Sequence, residues 1–235
     1  MADYLIQTVN GEPVQVQLLR KKVKRLTLRL DKTGAPVLTV PTRCTRKEAQ
    51  SFLSRCEGWL AKNLHPRSFF LLPQTLTEGD RVLLLGEWHT LHITRGSCPM
   101  LARTAQGVTL CCRNPHDPQA AAAAYEKAMR SLAQQLFSQA LQHWHGIIAH
   151  KFPALPQLTV KAMTGRWGSA SVEKGRINMS LYLLKAPPAC ISYIALHETA
   201  HFLVPNHSRE FYRVVALHMP DYKQREAQLK ALAKT

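Results

Sequence analysis

No stretch of about 18 apolar residues occurs in the 235-residue sequence, so no transmembrane helix and no membrane partner are expected. Cysteine is sparse. The six residues Cys44, Cys56, Cys98, Cys111, Cys112 and Cys190 are scattered without a C-x-x-C pair, which excludes a small disulfide scaffold and a cysteine zinc site. Acidic residues are also few: 15 Asp and Glu stand against 31 Lys and Arg, a formal charge of +16 and a pI near 10.0. That balance attracts polyanions such as nucleic acid or nucleotides. No internal repeat and no low-complexity tract stand out beyond the alanines at 120–124. The opening Met1-Ala2-Asp3-Tyr4 lacks a basic segment leading into an apolar run, so a cytoplasmic, monomeric protein is expected.

What is present is a globular composition, 46% hydrophobic and 20% charged, on a chain long enough for one or two domains. The fold class expected is α+β, with a basic β-rich region over residues 1–115 carrying one helix and a second domain over 116–235. Val14–Leu18, Leu26–Leu30 and Pro36–Val40 alternate with period two, and a turn at Thr33-Gly34 makes the last two a hairpin. Thr45 with Glu48 reads as the capping box of a helix carrying Phe52, Leu53, Cys56, Trp59 and Leu60. Strand patterns return at Val82–Leu85, Thr90–Thr94 and Val108–Cys111. Asp117-Pro118 then opens a long helix to Ile148. Short strands at Leu158–Ala162, Gly168–Val172 and Arg176–Met179 precede helical stretches at 189–203, 207–218 and 221–233.

The chemistry lies at His197-Glu198-Thr199-Ala200-His201, which fits H-E-x-x-H. Histidines four apart on a helix are separated by about 40° around the axis and about 6 Å along it, so their imidazoles can converge on one ion. Glu198 points elsewhere on the helix but can reach water beside that ion and act as general base. The apolar residues Ile191, Tyr193, Ile194 and Leu196 imply a buried helix. Pro205 stops it, and His207 follows the break as third ligand. A metzincin would need glycine where Val204 stands. A downstream glutamate is available at Glu210 or Glu226, but three histidines leave the fourth position of a zinc ion open, as catalysis requires. His143, His145 and His150 read as surface or satisfied residues and His218 as packing.

Basic residues cluster at Arg20-Lys21-Lys22-Val23-Lys24-Arg25, and residues 1–67 hold 13 Lys and Arg against 5 Asp and Glu. Lys21, Lys22, Lys24 and Arg25 are candidate contacts for DNA, RNA or another polyanion. Base-stacking aromatics are not interleaved with them. The competing reading is a solvated strand edge on which lysines discourage association.

Arg166-Trp167-Gly168-Ser169, Gly175-Arg176-Ile177-Asn178, Tyr193, the H-E-x-x-H segment, Asn206-His207-Ser208 and Pro220-Asp221-Tyr222 together resemble the YgjP-type predicted metal-dependent hydrolases, relatives of the SprT and WLM zincin-like metallopeptidases. The resemblance covers residues 160–225 strongly and the N-terminal half more weakly. It implies a zincin-like core of a long helix, a small sheet and an H-E-x-x-H active-site helix. It also implies one Zn2+ on His197, His201 and His207, with Glu198 as catalytic acid/base. Ala170 stands where such proteins commonly have cysteine, and Thr199 where they have an aliphatic residue. Arg166, Trp167 and Ser169 become candidate substrate-binding residues on a strand beside the active-site helix, with Trp167 as core anchor and Arg166 as ion-pair partner of Glu198 or Asp221 the competing reading. Three functions are compatible with these residues: a zinc metallopeptidase acting on a polypeptide; a metal-dependent hydrolase of nucleoside triphosphates or other phosphoanhydrides; and a nucleic-acid-binding module with a structural metal.

Overall fold

The computed structural model describes residues 3–9, 11–31, 35–63, 68–148, 152 and 154–233. Contacts divide the chain into two compact units, one formed by residues up to Leu71 and the other by Leu72–Ala233. The boundary expected near residue 115 falls inside the second unit.

In the first unit, β1 (Asp3–Val9), β2 (Glu12–Lys21), β3 (Thr27–Leu30) and β4 (Pro36–Pro41) form a sheet of order β1-β2-β4-β3. β1 and β2 are an antiparallel hairpin, β2 and β4 run parallel, and β3 returns antiparallel to β4. The expected turn at Thr33-Gly34 lies outside the described residues. Leu5, Val16, Leu18, Leu38 and Val40 share one face and bury against Ala49 and Leu53 of α1 (Arg46–Arg55) and Leu60 of α2 (Glu57–Asn63). The Thr45–Glu48 capping box starts α1, as its sequence implies. The expected single helix is two helices, because Cys56 leaves helical geometry and its N–H bonds back to Leu53 O at 2.9 Å. β1 escapes the sequence pattern because its inward row includes Gln7, whose side chain is hydrogen-bonded by Gln50 of α1 at 3.2 Å, while Tyr4 and Ile6 point outward and are exposed.

The second unit begins with β5 (Arg81–Leu84), β6 (Glu87–Arg95), β7 (Met100–Thr104) and β8 (Gly107–Cys112), ordered β5-β6-β8-β7. The pairing repeats that of the first sheet: antiparallel hairpin, parallel centre, antiparallel return, then a helix. The chain therefore contains a topological repeat that its sequence does not display. Equivalent hairpins turn over two residues, with Gly11 and Gly86 at φ 86° and 87°.

The helix after β8 is α3 (Pro118–Ile148), whose first N–H groups at Gln119 and Ala120 donate to Asp117 Oδ1 at 3.0 and 3.1 Å. Then come β9 (Gln157–Lys161), β10 (Gly168–Ser171) and β11 (Arg176–Ser180), ordered β10-β11-β9 with β10 at the edge. A 3₁₀ turn (Leu181–Lys185) leads into α4 (Pro188–Ala200), followed by α5 (Arg209–His218) and α6 (Tyr222–Leu232). No described helix is long and apolar enough to cross a membrane.

α4 is buried on nearly all sides, so its sequence lacks an amphipathic stripe. It packs on α3, α5, α6 and β10. Trp144 Nε1 of α3 donates to Ser192 Oγ at 3.0 Å and joins the two helices. At its N-terminal end the tip of the β5–β6 hairpin is wedged against the incoming chain. Leu85 N–H donates to Leu184 O at 2.8 Å and Gly86 N–H to Lys185 O at 3.0 Å. A Cβ on Gly86 would lie 2.9 Å from Pro187 Cγ, so the close fit requires glycine.

Candidate metal centre

His197 is in the last turn of α4 and His201 is its C-cap, still at helical φ and ψ of −62° and −22°. Beyond it the helix tightens. Phe202 and Leu203 N–H groups donate to Thr199 O and Ala200 O, three residues back, and regular α-helix ends earlier than its apolar pattern suggests. The turn through Pro205 carries His207 back toward the pair. The three histidines each offer a ring nitrogen, and these atoms all lie within 4.8 Å of one another. The Nε2 atoms of His197 and His207 are 2.9 Å apart. Metal–nitrogen bonds of about 2.0–2.1 Å in a tetrahedron hold nitrogens about 3.3 Å apart, so the spacing is close to that of a ligand set.

Electrostatics favour the same use. Burial, then the neighbouring imidazoles His201 and His207, push His197 down to about 3, and burial also lowers His201. Both rings are therefore neutral near pH 7 and keep a lone pair for a cation. The donor set fits a nitrogen-binding divalent ion.

Phe211, absent from the sequence-derived candidates, forms the floor. It is fully buried in the first turn of α5, and its ring centroid lies 4.8, 4.6 and 4.9 Å from those of His197, His201 and His207. Its only signal in sequence is an apolar residue four positions after His207. Tyr193, one turn before His197 on α4, meets that imidazole edge-on at 5.8 Å.

Glu198 is 5% exposed. Burial raises its carboxyl to about 8, opposed by the Ala170 N–H that it accepts and by the Arg166 charge. Gly168 makes this position possible: a Cβ there would sit 2.4 Å from Glu198 Oε1. The close approach that the glycine of Arg-Trp-Gly-Ser permits is thus to the carboxylate. Thr199 is tolerated in the buried helix because its hydroxyl donates to Ala195 O at 2.7 Å.

A cleft of about 500 Å³ opens over these groups, lined among others by Arg166, Gly168, Ser169, Ala170, Glu198 and the three histidines. Arg166 is exposed at its rim, and Asp221 pairs with Arg225 instead. Ser169 Oγ accepts from Asn178 Nδ2 at 3.1 Å across the β10–β11 pair. Trp167 is half-buried and is not among the lining residues; its carbonyl accepts from Ser180 N–H at 2.8 Å. In an antiparallel pair a residue turns its N–H and C=O to the same side. Since Trp167 bonds toward β11 and Ala170 N–H goes to Glu198, Gly168 and Ala170 present their backbone to the open edge of β10.

The remaining candidates lie elsewhere. Glu226 pairs with Lys230 at 2.8 Å and Glu210 is exposed in the first turn of α5, so neither joins the triad. His145 Nε2 is 3.2 Å from Phe152 O, His218 packs edge-on to Trp144, and His143 is exposed. His150 lies outside the described residues. Lys21, Lys22, Lys24 and Arg25 belong to the first unit, at the end of β2 and in the connection that follows.

A family model described as YgjP-like, metallopeptidase domain, matches residues 24–232. The chain belongs to the YgjP-like metallopeptidase family. Membership implies a hydrolase of the metallopeptidase type with a metal cofactor, and the histidine triad can hold such an ion. Among curated proteins, none matches this YgjP-like chain.

Proposed function

We propose that the protein is a zinc-dependent peptidase with a zincin-like active site, in which His197, His201 and His207 hold the ion and Glu198 is the general base. The observation that carries this reading is the convergence of three imidazole nitrogens within 4.8 Å beside a buried carboxylate. Bound zinc would supply Lewis acidity at neutral pH, polarising a carbonyl and acidifying water. The chain's own groups supply the rest. Glu198 takes a proton and returns it to the leaving amine, the acid–base role open to a buried carboxylate lining the same cleft as the triad. A peptide strand can pair with the outward backbone of Gly168 and the Ala170 carbonyl on β10, which aligns its own carbonyl along the cleft. Arg166 at the rim can receive a negative group of the substrate. The cleft's openness on the side of exposed His207 suits an exchanging ligand better than a closed structural site.

The purified protein should hold about one equivalent of zinc, lost in His197→Ala and His201→Ala. Glu198→Gln should keep the metal and the fold while turnover of a peptide panel falls by about 10²–10⁴-fold. Loss of metal from folded Glu198→Gln would make Glu198 a ligand. Turnover of nucleoside triphosphates with no peptide cleaved would replace the peptidase reading with phosphoanhydride hydrolysis.

A further inference from the structure

We propose that the first unit binds single-stranded nucleic acid, with phosphates on Lys21, Lys22, Lys24, Arg25 and Arg43 and a base held against Phe52. The inference is independent of the metal centre. β2 and β4 are parallel neighbours in register at Lys21↔Pro41, so both end on the same side of the sheet. The basic run after β2 and Arg43 after β4, far apart in sequence, are thereby brought together. An Arg20 hydrogen bond to Cys44 O ties the two segments. Lys21, Lys22, Lys24, Arg25 and Arg43 are exposed, and no acidic side chain among the described residues pairs with them. Lys21 ends β2, a central strand, and Lys22, Lys24 and Arg25 lie in the connection that follows it, not on an edge strand.

Beside them is a groove of about 380 Å³ lined by Leu26, Pro41, Arg43, Cys44, Glu48, Phe52 and Arg55. Leu26 directly follows the basic run. Phe52 comes from α1, which explains why no aromatic is interleaved with the lysines in sequence: the tertiary fold supplies it. Arg55 lies over the Phe52 ring at 6.0 Å. Glu48, the one acid in the lining, is engaged by the N–H and hydroxyl of Thr45 at 2.7 and 2.9 Å. Cations outside and an aromatic wall with arginines inside suit a phosphodiester whose base is unpaired. A duplex can offer phosphates to the lysines but keeps its bases stacked.

Fluorescence anisotropy of the full chain with a labelled oligothymidylate of about 20 nucleotides, at 50 and 200 mM salt, tests this. Binding should weaken steeply with salt and be tighter than to a duplex of the same length. Joint Lys21→Glu, Lys22→Glu and Lys24→Glu substitution should weaken it at least about tenfold and flatten the log–log salt slope by roughly 2, as about 0.7 per lost phosphate contact requires. Phe52→Leu, which keeps an apolar group against the core, should weaken single-strand binding about tenfold at unchanged salt slope. Metal content should be unaffected in both. No binding, an unchanged affinity in the triple variant, a silent Phe52→Leu with duplex bound as tightly as single strand, or binding to phosphatidylserine vesicles but not to oligonucleotides would each overturn the proposal.

Discussion

Gly168 decides how Glu198 can be held. With a Cβ at 2.4, 2.7 and 2.8 Å from Oε1, Cγ and Cδ of a buried glutamate, Gly168→Ala forces the carboxylate off its hydrogen bond to Ala170. Overpacking of this kind costs about 1–3 kcal/mol. The three atoms nearest this Cβ all belong to Glu198 and none to a histidine, so the variant should lose thermal stability and peptide turnover together while retaining about one metal ion. Melting temperature, elemental analysis and kcat on the same preparation check the three parts. Gly168 stands in sequence within the Arg-Trp-Gly-Ser segment, but its partner is not visible there. Nothing in the spacing of Gly168 and Glu198 says that a strand and a helix will meet there, just as nothing announces that Phe211 will touch all three imidazoles. The histidine pair is legible because a helix converts a four-residue interval into proximity. Contacts between elements have no such rule.

At the scale of elements, local signals were reliable where one residue controls a terminus. The Thr45–Glu48 box and the Asp117 cap start helices where sequence put them. β1 and β7 are less legible: β1 carries a buried Gln7, and β7 has only Leu101 buried. Residues 181–185 also escape periodicity, because a short 3₁₀ turn is buried almost throughout and includes Lys185. That lysine stacks over Tyr182 at 5.9 Å, and burial lowers its amine from 10.5 to about 8. A folded-state value below the unfolded one means that between about pH 8 and 10.5 the unfolded chain holds more protons, so this group makes the fold more stable as pH rises through that window. Lys185→Met should therefore gain less stability than the parent on going from pH 7 to pH 10, by about 1–3 kcal/mol. Urea unfolding of both proteins at the two pH values isolates the effect, because the other titrating groups are shared. Equal pH dependence would show that the amine stays hydrated.

The whole molecule couples two similar sheet topologies to different chemistry. Each unit opens with a hairpin, a parallel pair and a returning strand, yet the helix that follows is 10 residues in one and 31 in the other. Sequence hides the repeat because pairing order depends on which strands meet, while the alternating residues need only be apolar. The charge is uneven as well. Residues 1–71 carry 13 Lys and Arg against 5 Asp and Glu, and residues 72–235 carry 18 against 10 over more than twice the length. All residues of the histidine triad, Glu198 and the lining of their cleft belong to the second unit, with the sheet, the long helix and the hairpin that support α4. A protein beginning at Leu72 should therefore fold, hold about one equivalent of metal with near-parental affinity, and lose oligonucleotide binding. Circular dichroism melting, metal titration and anisotropy on that shortened chain give the three readings. If it folds but releases its metal, the first unit contributes to the centre, and the separation of charge from chemistry fails at the level of the molecule.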